Sequence, residues 1–275
     1  MRKISTTLSI ICLLMLCACG GGGSTSRQTA TGYFIDSPVS GLSYTSGGQS
    51  GVTGEDGSFL YEVDQPVTFF LGKMVLGTIK IDKNNRIFPV DLVSGARDET
   101  HANVSLMARV LQTLDSNNDP TDGITIDDTA RQAINEVIQL ASEDPAAALA
   151  RIQAALGNTR PLVDSNTAQT HIRANLLKEY AGTWQGRYSG GDQGPCTVSI
   201  SDTGSISGNC TSENFSELTF PIKGSLNSDG SSAAGNTETG ANFTGTYQRY
   251  GEVSGDWVNQ SPKINGTFTL KRQGS

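Results

Sequence analysis

The sequence has few of the residues and none of the motifs on which most enzymes depend. Only two of its 275 residues are histidines. Neither His101 nor His171 belongs to a metal-binding or nucleophile-activating pattern. The motifs H-E-x-x-H and G-x-S-x-G are missing, and so are the glycine motifs that bind phosphates or dinucleotides. We therefore expect a protein that is not an enzyme, with a hydrolase of unrecognised site as the weaker alternative.

Basic residues are also scarce. The chain has 20 Lys and Arg against 27 Asp and Glu, which gives a formal net charge of -7. The basic residues form no cluster along the sequence. Because nucleic acids and anionic lipid surfaces attract concentrated positive charge, we expect no nucleic-acid partner and no electrostatic binding to membranes.

The N-terminal segment contains a short apolar run. Arg2 and Lys3 precede it, and it extends over residues 8–16. A bilayer-spanning helix needs about 20 apolar residues, so this pattern is typical of a secretory signal peptide over residues 1–18. Residues 16–19, with the sequence LCAC, resemble the lipobox of bacterial lipoproteins. That resemblance implies cleavage before Cys19 and a lipid on Cys19, and an ordinary signal peptide is the alternative.

The residues after Cys19 refine the expected location. Residues 19–30 are rich in Gly, Ser and Thr, which predicts a flexible tether. In lipoproteins of two-membrane bacteria, Asp after the lipidated Cys usually implies retention at the inner membrane, and here the residue is Gly20. The resemblance thus implies a protein of the bacterial cell envelope, anchored to the outer membrane through Cys19.

The chain has five cysteines. Cys12 and Cys17 lie in the expected signal peptide, and Cys19 is the expected lipid anchor. The two that remain, Cys196 and Cys210, form an even pair in an exported chain, which predicts one disulfide bond.

Residues 31–97 predict a β-sandwich module. Short runs of alternating apolar and polar residues are separated by turn signals such as Asp56-Gly57. The segment resembles the prealbumin-like modules of the carboxypeptidase regulatory-like class, which also occur in bacterial surface proteins. The matching residues are Gly32, Asp36, Pro38, Val39, Gly41, Thr53, Asp56, Gly57 and Phe59. The resemblance implies a fold and says little about function.

Residues 98–180 predict a section of four helices, because apolar residues recur there at helical spacing. The first helix carries Val104, Met107, Ala108, Leu111 and Leu114 on one face. The second follows Asp127-Asp128, the third begins at Asp144-Pro145 and ends at Gly157, and the fourth begins at Ser165. The apolar face expected for the second comprises Ala130, Ile134, Val137, Ile138 and Ala141.

Residues 181–275 predict a small antiparallel β-barrel or sandwich. Six short runs alternate in polarity and are separated by Gly, Asp-Gly or Asn-Gly turns. Gly182-Thr183-Trp184 resembles the Gly-x-Trp opening of lipocalin-like and avidin-like barrels, in which the Trp plugs one end. Trp184 and Trp257 are our candidate ligand-binding residues. The aromatic residues available to line or fill the interior are Trp184, Tyr188, Phe220, Phe243, Tyr247, Trp257 and Phe268.

A loop rich in Asp and Asn is the candidate metal site. Asp115, Asn117 and Asp119 have the spacing of Ca²⁺-binding loops, and Asp122 offers a fourth oxygen ligand. Pro120, however, stands where an EF-hand needs Gly. The sequence thus indicates either a calcium site or a solvated turn before the next helix.

Together these patterns predict an α+β protein with an N-terminal β-sandwich module, a short helical section and a C-terminal barrel or sandwich. We expect a binding, adhesion or envelope-structural role, with a protein or polysaccharide as the partner and the membrane contacted through the lipid. The main alternative is a carrier of a small apolar ligand inside the barrel.

Overall fold

The computed structural model describes residues 27–157, 161–215 and 218–274. The signal peptide, the lipobox and Cys19 lie outside the described residues. The chain has the predicted α+β organisation, with a β-rich N-terminal region, a helical section and a closed C-terminal barrel. No helix in the described part of the chain is long and apolar enough to cross a membrane.

The N-terminal region consists of small, mostly antiparallel sheets. The strands are β1 (Thr29–Phe34), β2 (Val39–Ser40), β3 (Ser43–Ser46), β4 (Gln49–Val52), β5 (Ser58–Glu62), β6 (Pro66–Leu71), β7 (Met74–Lys80) and β8 (Arg86–Ile87). One sheet has the order β5-β1-β8 and another the order β4-β3-β6-β7. Phe34, Phe59 and Phe69 are buried between them, with ring centroids of neighbouring pairs 4.8 and 4.9 Å apart.

The predicted Asp56-Gly57 turn lies between β4 and β5. Gly57 has a φ of 77°, in the left-handed region that favours glycine. A Cβ atom at this position would lie 2.5 Å from the carbonyl oxygen of Phe34. Backbone conformation and the close approach of β1 therefore both require glycine here.

The helical section packs against these sheets. Val104, Met107, Ala108 and Leu111 are fully buried, as the predicted face of the first long helix requires. Asp144 and Asp164 cap the helices that follow them, and each side chain accepts a hydrogen bond from a backbone N–H. The elements are α1 (Pro89–Leu92), α2 (Ala102–Thr113), β9 (Ile124–Thr125), which pairs with β2, α3 (Asp128–Ala133), α4 (Pro145–Ala155) and α5 (Ser165–Lys178).

The second predicted helix is wrong beyond its first turns. α3 ends at Ala133, and Val137, expected on the apolar face, is 61% exposed. The chain continues instead beside β7. The amide of Val75 donates to the carbonyl of Ile138, and the amide of Leu140 donates to the carbonyl of Val75. Pairing with an open strand edge satisfies backbone groups that a longer helix would have bonded internally.

The C-terminal region is a closed, eight-stranded antiparallel barrel. Each strand pairs with the next in the chain, and the last pairs with the first. Each of the six predicted runs overlaps a strand. The strands are β10 (Gly182–Gly190), β11 (Gly194–Ile200), β12 (Ser205–Thr211), β13 (Thr219–Leu226), β14 (Ser231–Gly235), β15 (Ala241–Tyr247), β16 (Glu252–Gln260) and β17 (Lys263–Arg272).

The predicted disulfide is confirmed. Cys196 in β11 and Cys210 in β12 are directly opposite in the strand register and are bonded to each other. Both side chains are buried in the barrel. The bond thus closes the hairpin formed by these two strands.

Candidate functional site

One end of the barrel is closed by its own side chains. Trp184 is fully buried, and its indole N–H donates to the carbonyl of Tyr180, 2.9 Å away. The ring of Tyr247 meets Trp184 edge-on at 4.8 Å. Leu177, at the end of α5, belongs to the same core. Trp184 therefore fills the end of the barrel that faces the helical section.

The middle of the barrel is also filled. A space of about 20 Å³ lies there, bordered by Phe243, Phe268, Leu270 and the disulfide. That is roughly the space one water molecule occupies. The aromatic residues of the middle layer thus pack against one another rather than enclose a ligand.

The opposite end of the barrel contains a cavity of about 270 Å³, which we call the cup. Loops between β10 and β11, β12 and β13, β14 and β15, and β16 and β17 surround it. Tyr188 contacts three neighbouring rings, with centroids 5.5 Å from Trp257, 6.1 Å from Phe243 and 6.2 Å from Phe220. Of the two candidate tryptophans, Trp257 lines the cup, and Trp184 lies at the other end.

The rim of the cup exposes large apolar side chains. Phe215 is 49% exposed and Leu218 is 50% exposed, and both border the cavity. Single exposed apolar residues are common on protein surfaces, but neighbouring ones beside a cavity are typical of a binding site. A wider depression of about 710 Å³ lies along β14. It is bordered mostly by small or polar side chains.

One side of the cup contains a buried carboxylate. Asp192 is 6% exposed. It accepts hydrogen bonds from the hydroxyl of Tyr188 at 2.8 Å, the hydroxyl of Ser212 at 2.9 Å and the amide of Gln193 at 2.7 Å. Burial and the neighbouring carboxylate raise the pKa of Tyr188 above its ordinary value, so the phenol stays protonated and donates. The cup therefore joins apolar walls to one buried anionic group.

The candidate calcium loop connects α2 to β9. Asp115 is buried and accepts from the amide of Thr125 at 2.9 Å. Asn117 and Asp119 are exposed and accept from backbone amides two residues further on, while the side-chain amide of Asn117 donates to Asp122. Within the described ranges, no three His, Cys, Asp or Glu side chains lie close enough to hold a metal ion. Calcium binding here stays a hypothesis.

A Ser, a His and an Asp also meet near the start of the chain, which bears on the hydrolase alternative. The Ser37 hydroxyl lies 3.1 Å from Nε2 of His171, and Ser37 has a φ of 55°. The Asp36 carboxylate approaches the same nitrogen, at 3.7 Å. In a catalytic triad the carboxylate binds the other ring nitrogen and orients the imidazole. The group therefore lacks triad geometry.

Comparison with known proteins adds little. No known protein family and no curated protein matches the chain. Among solved structures, a redesigned beta barrel matches 37% of this chain and 95% of its own length, at 17% sequence identity and a TM-score of 0.27. A TM-score this low supports no conclusion, and closure of the barrel follows from its strand pairing.

No sequence pattern indicated that several residues of the cup would belong to a binding site. Asp192 follows Gly190-Gly191 and resembles an ordinary turn residue. Ser212 and Phe215 lie in a loop whose residues have no periodic pattern. The convergence of these loops at one end of the barrel depends on strand register, which only the closed sheet establishes.

Proposed function

We propose that this protein is a lipid-anchored protein of the bacterial envelope that binds a small molecule in the cup without catalysing a reaction. The lipobox resemblance supports anchoring to the outer membrane through Cys19. A multiply acylated Cys anchors a protein stably, because each buried CH₂ contributes ~0.8 kcal/mol. No basic membrane-binding patch is then needed.

The observation that carries the proposal is the chemistry of the cup. Ligand sites in proteins are concave, largely apolar and equipped with a few well-placed polar groups. Aromatic walls, an exposed apolar rim and the buried carboxylate of Asp192 meet this description. With a volume of about 270 Å³, the cup lies just below the usual range of about 300–1,000 Å³, which favours a small ligand.

The resemblances found in the sequence bear on this proposal in two ways. The likeness of Gly182-Thr183-Trp184 to the opening of lipocalin-like barrels supports small-ligand binding. The likeness of residues 31–97 to carboxypeptidase regulatory-like modules supports protein or polysaccharide binding through loops of the N-terminal region, and that is the second candidate function. The cup favours small-ligand binding, because it is a formed cavity.

Native mass spectrometry of the mature protein, extracted from its host membrane, tests the proposal. We expect a bound small molecule in the wild type and its loss in a Leu218→Ser variant, which makes the rim polar at an exposed position. Leu60→Ser is the matched control, since Leu60 is 41% exposed but lies in β5, away from the cup. The mass of the N-terminal peptide of the mature protein should show an acylated Cys19.

Absence of a bound molecule in the wild type, together with no effect of a panel of small apolar and aromatic probes on the NMR signals of cup residues, would contradict small-molecule binding. Binding that disappears equally in the Leu60→Ser control would place the site elsewhere. An unmodified Cys19 at the N-terminus of the mature protein would contradict the anchor.

A further inference from the structure

The charge of the cup points to the kind of ligand. Among the described residues that line the cup, two are acidic, Asp192 and Glu238, and none is Lys, Arg or His. Asp192 lies inside, whereas Glu238 is exposed at the rim. An anionic ligand would meet only like charge here, so the cup selects against anions.

The aromatic rings provide a second attraction for positive charge. The faces of Trp, Tyr and Phe rings carry negative partial charge and bind ammonium groups within about 6 Å of the ring centroid. Tyr188 packs edge-on against Trp257, Phe243 and Phe220, with ring centroids 5.5 to 6.2 Å apart. All four rings border the cup, so a bound cation would meet them from the cavity side. Phe215 adds a partly exposed ring at the rim. Such rings surround the bound cation in proteins that recognise quaternary ammonium groups.

The hydrogen bonding of Asp192 adds a third observation. Its three hydrogen-bond donors, Tyr188, Ser212 and the Gln193 amide, are all neutral. Among the ion pairs of the described residues, none includes Asp192. A buried carboxylate without a cation is costly, and pairing it with a bound cation recovers part of that cost.

From these three observations we infer that the ligand of the cup is a small organic cation, an alkylated ammonium group held between the aromatic rings and the Asp192 carboxylate. The inference rests on the proposed small-molecule binding and specifies its chemistry. The apolar substituents of the ammonium group would contact the aromatic walls, and its charge would face Asp192. A neutral apolar ligand would leave the carboxylate unpaired.

Two probes of the same shape test the inference on the full mature chain. Choline carries a trimethylammonium group, and 3,3-dimethylbutan-1-ol has the same shape without the charge. Isothermal titration calorimetry of the wild type should show that choline binds roughly tenfold more tightly than the alcohol, or better, a ratio that corresponds to ~1.4 kcal/mol. The preference is expected because cation–aromatic contacts strengthen when water is excluded.

Variants assign the preference to particular residues. Asp192→Asn should weaken choline binding roughly tenfold and leave the alcohol unchanged, while Glu252→Gln, the same change at the closed end of the barrel, should affect neither. Phe215→Leu removes a ring at an exposed position, keeps the apolar volume, and should weaken choline selectively. If Asp192→Asn fails to fold, Phe215→Leu still tests the cation site.

The outcomes separate the inference from the proposed function. If the wild type binds the alcohol as tightly as choline, the cation inference is wrong and small-molecule binding stands. If choline is preferred but neither cup variant alters the preference, the cation site is not the cup, and the inference is again wrong. If neither probe nor any apolar probe binds, both proposals fail.

Discussion

The carboxyl group of Asp36 is fully buried where the chain leaves β1 and meets α2 and α5. The side-chain amide of Gln112 donates to one of its oxygens at 3.1 Å. Burial raises its pKa to about 7, and the hydrogen bond from Gln112 offsets only part of that rise. His171 faces the same group, and its own burial lowers its pKa below the ordinary value.

Asp36 should make the folded protein less stable as the pH rises. Between the unfolded pKa of 3.8 and the folded pKa of about 7, the folded state holds a proton that the unfolded state has released. Stability therefore falls across that window and levels off above it. The rise from 3.8 to about 7 corresponds to about 4 kcal/mol. Relative to the Asp36→Asn variant, the free energy of unfolding of the wild type should fall by about that amount between pH 4 and pH 8. Urea unfolding at each pH measures the change.

The comparison with Asp36→Asn separates this effect from that of His171. A lowered histidine pKa acts in the opposite direction, because it removes stability as the pH falls below the unfolded value near 6.5. His171 is present in both proteins, so its contribution largely cancels. A stability difference that stays constant from pH 4 to pH 8 would show that Asp36 is ionised throughout.

At the scale of elements, the hairpin of β11 and β12 connects the core of the barrel to the cup. The disulfide between Cys196 and Cys210 closes a loop with a sequence separation of 14 residues. Ser212 and Phe215 follow directly in the loop after β12. The disulfide therefore restrains the strand that positions one wall of the cup.

Replacing both cysteines by alanine should lower the free energy of unfolding by about 3 kcal/mol, because a closed loop of about 15 residues restricts the unfolded chain by that amount. Urea unfolding followed by tryptophan fluorescence measures the change, since Trp184 and Trp257 both lie in the barrel. Wild-type protein treated with a reductant should behave like the double variant. Unchanged midpoints in both samples would show that the strand pairing alone holds the hairpin.

Most elements were predictable because their signals are local. α2, α4 and α5 have apolar residues at helical spacing, and two of them begin at an aspartate cap. β14 was not predicted, because its sequence, SSAAG, has no alternation of large apolar and polar residues. It forms a strand because β13 and β15 supply hydrogen bonds on both sides. Tertiary pairing of this kind overrides weak local preference.

The candidate site was predictable only in part. Trp257, Tyr188 and Phe243 were expected in the barrel interior from strand periodicity, and all three line the cup. Asp192 was not expected, because its role depends on a hydroxyl from β10 and another from the loop after β12. Sequence patterns report which face of a strand is buried, but they do not report which loops meet.

At the scale of the whole molecule, the closed end of the barrel contacts the helical section and leaves the cup at the far end. Arg249, between β15 and β16, pairs with Asp91 of α1, and its guanidinium lies 5.0 Å from the ring centre of Phe88. Glu99, buried before α2, accepts a hydrogen bond from the hydroxyl of Ser228. Among the described residues, these contacts lie at the closed end of the barrel, and the cup lies at the opposite end.

Arg249→Ala should weaken this attachment. Both side chains of the Arg249–Asp91 pair are less than one-fifth exposed, and removing one partner leaves a poorly solvated charge, which costs about 3 kcal/mol. Arg97→Ala is the matched control, because Arg97 pairs with Asp229 but is 72% exposed. This substitution should cost about 1 kcal/mol or less.

In differential scanning calorimetry, Arg249→Ala should lower the first transition and separate barrel unfolding from that of the remaining chain. If both variants unfold alike, the barrel does not depend on this pair. Ligand binding in the cup should persist in either case, because the pair lies at the opposite end of the barrel.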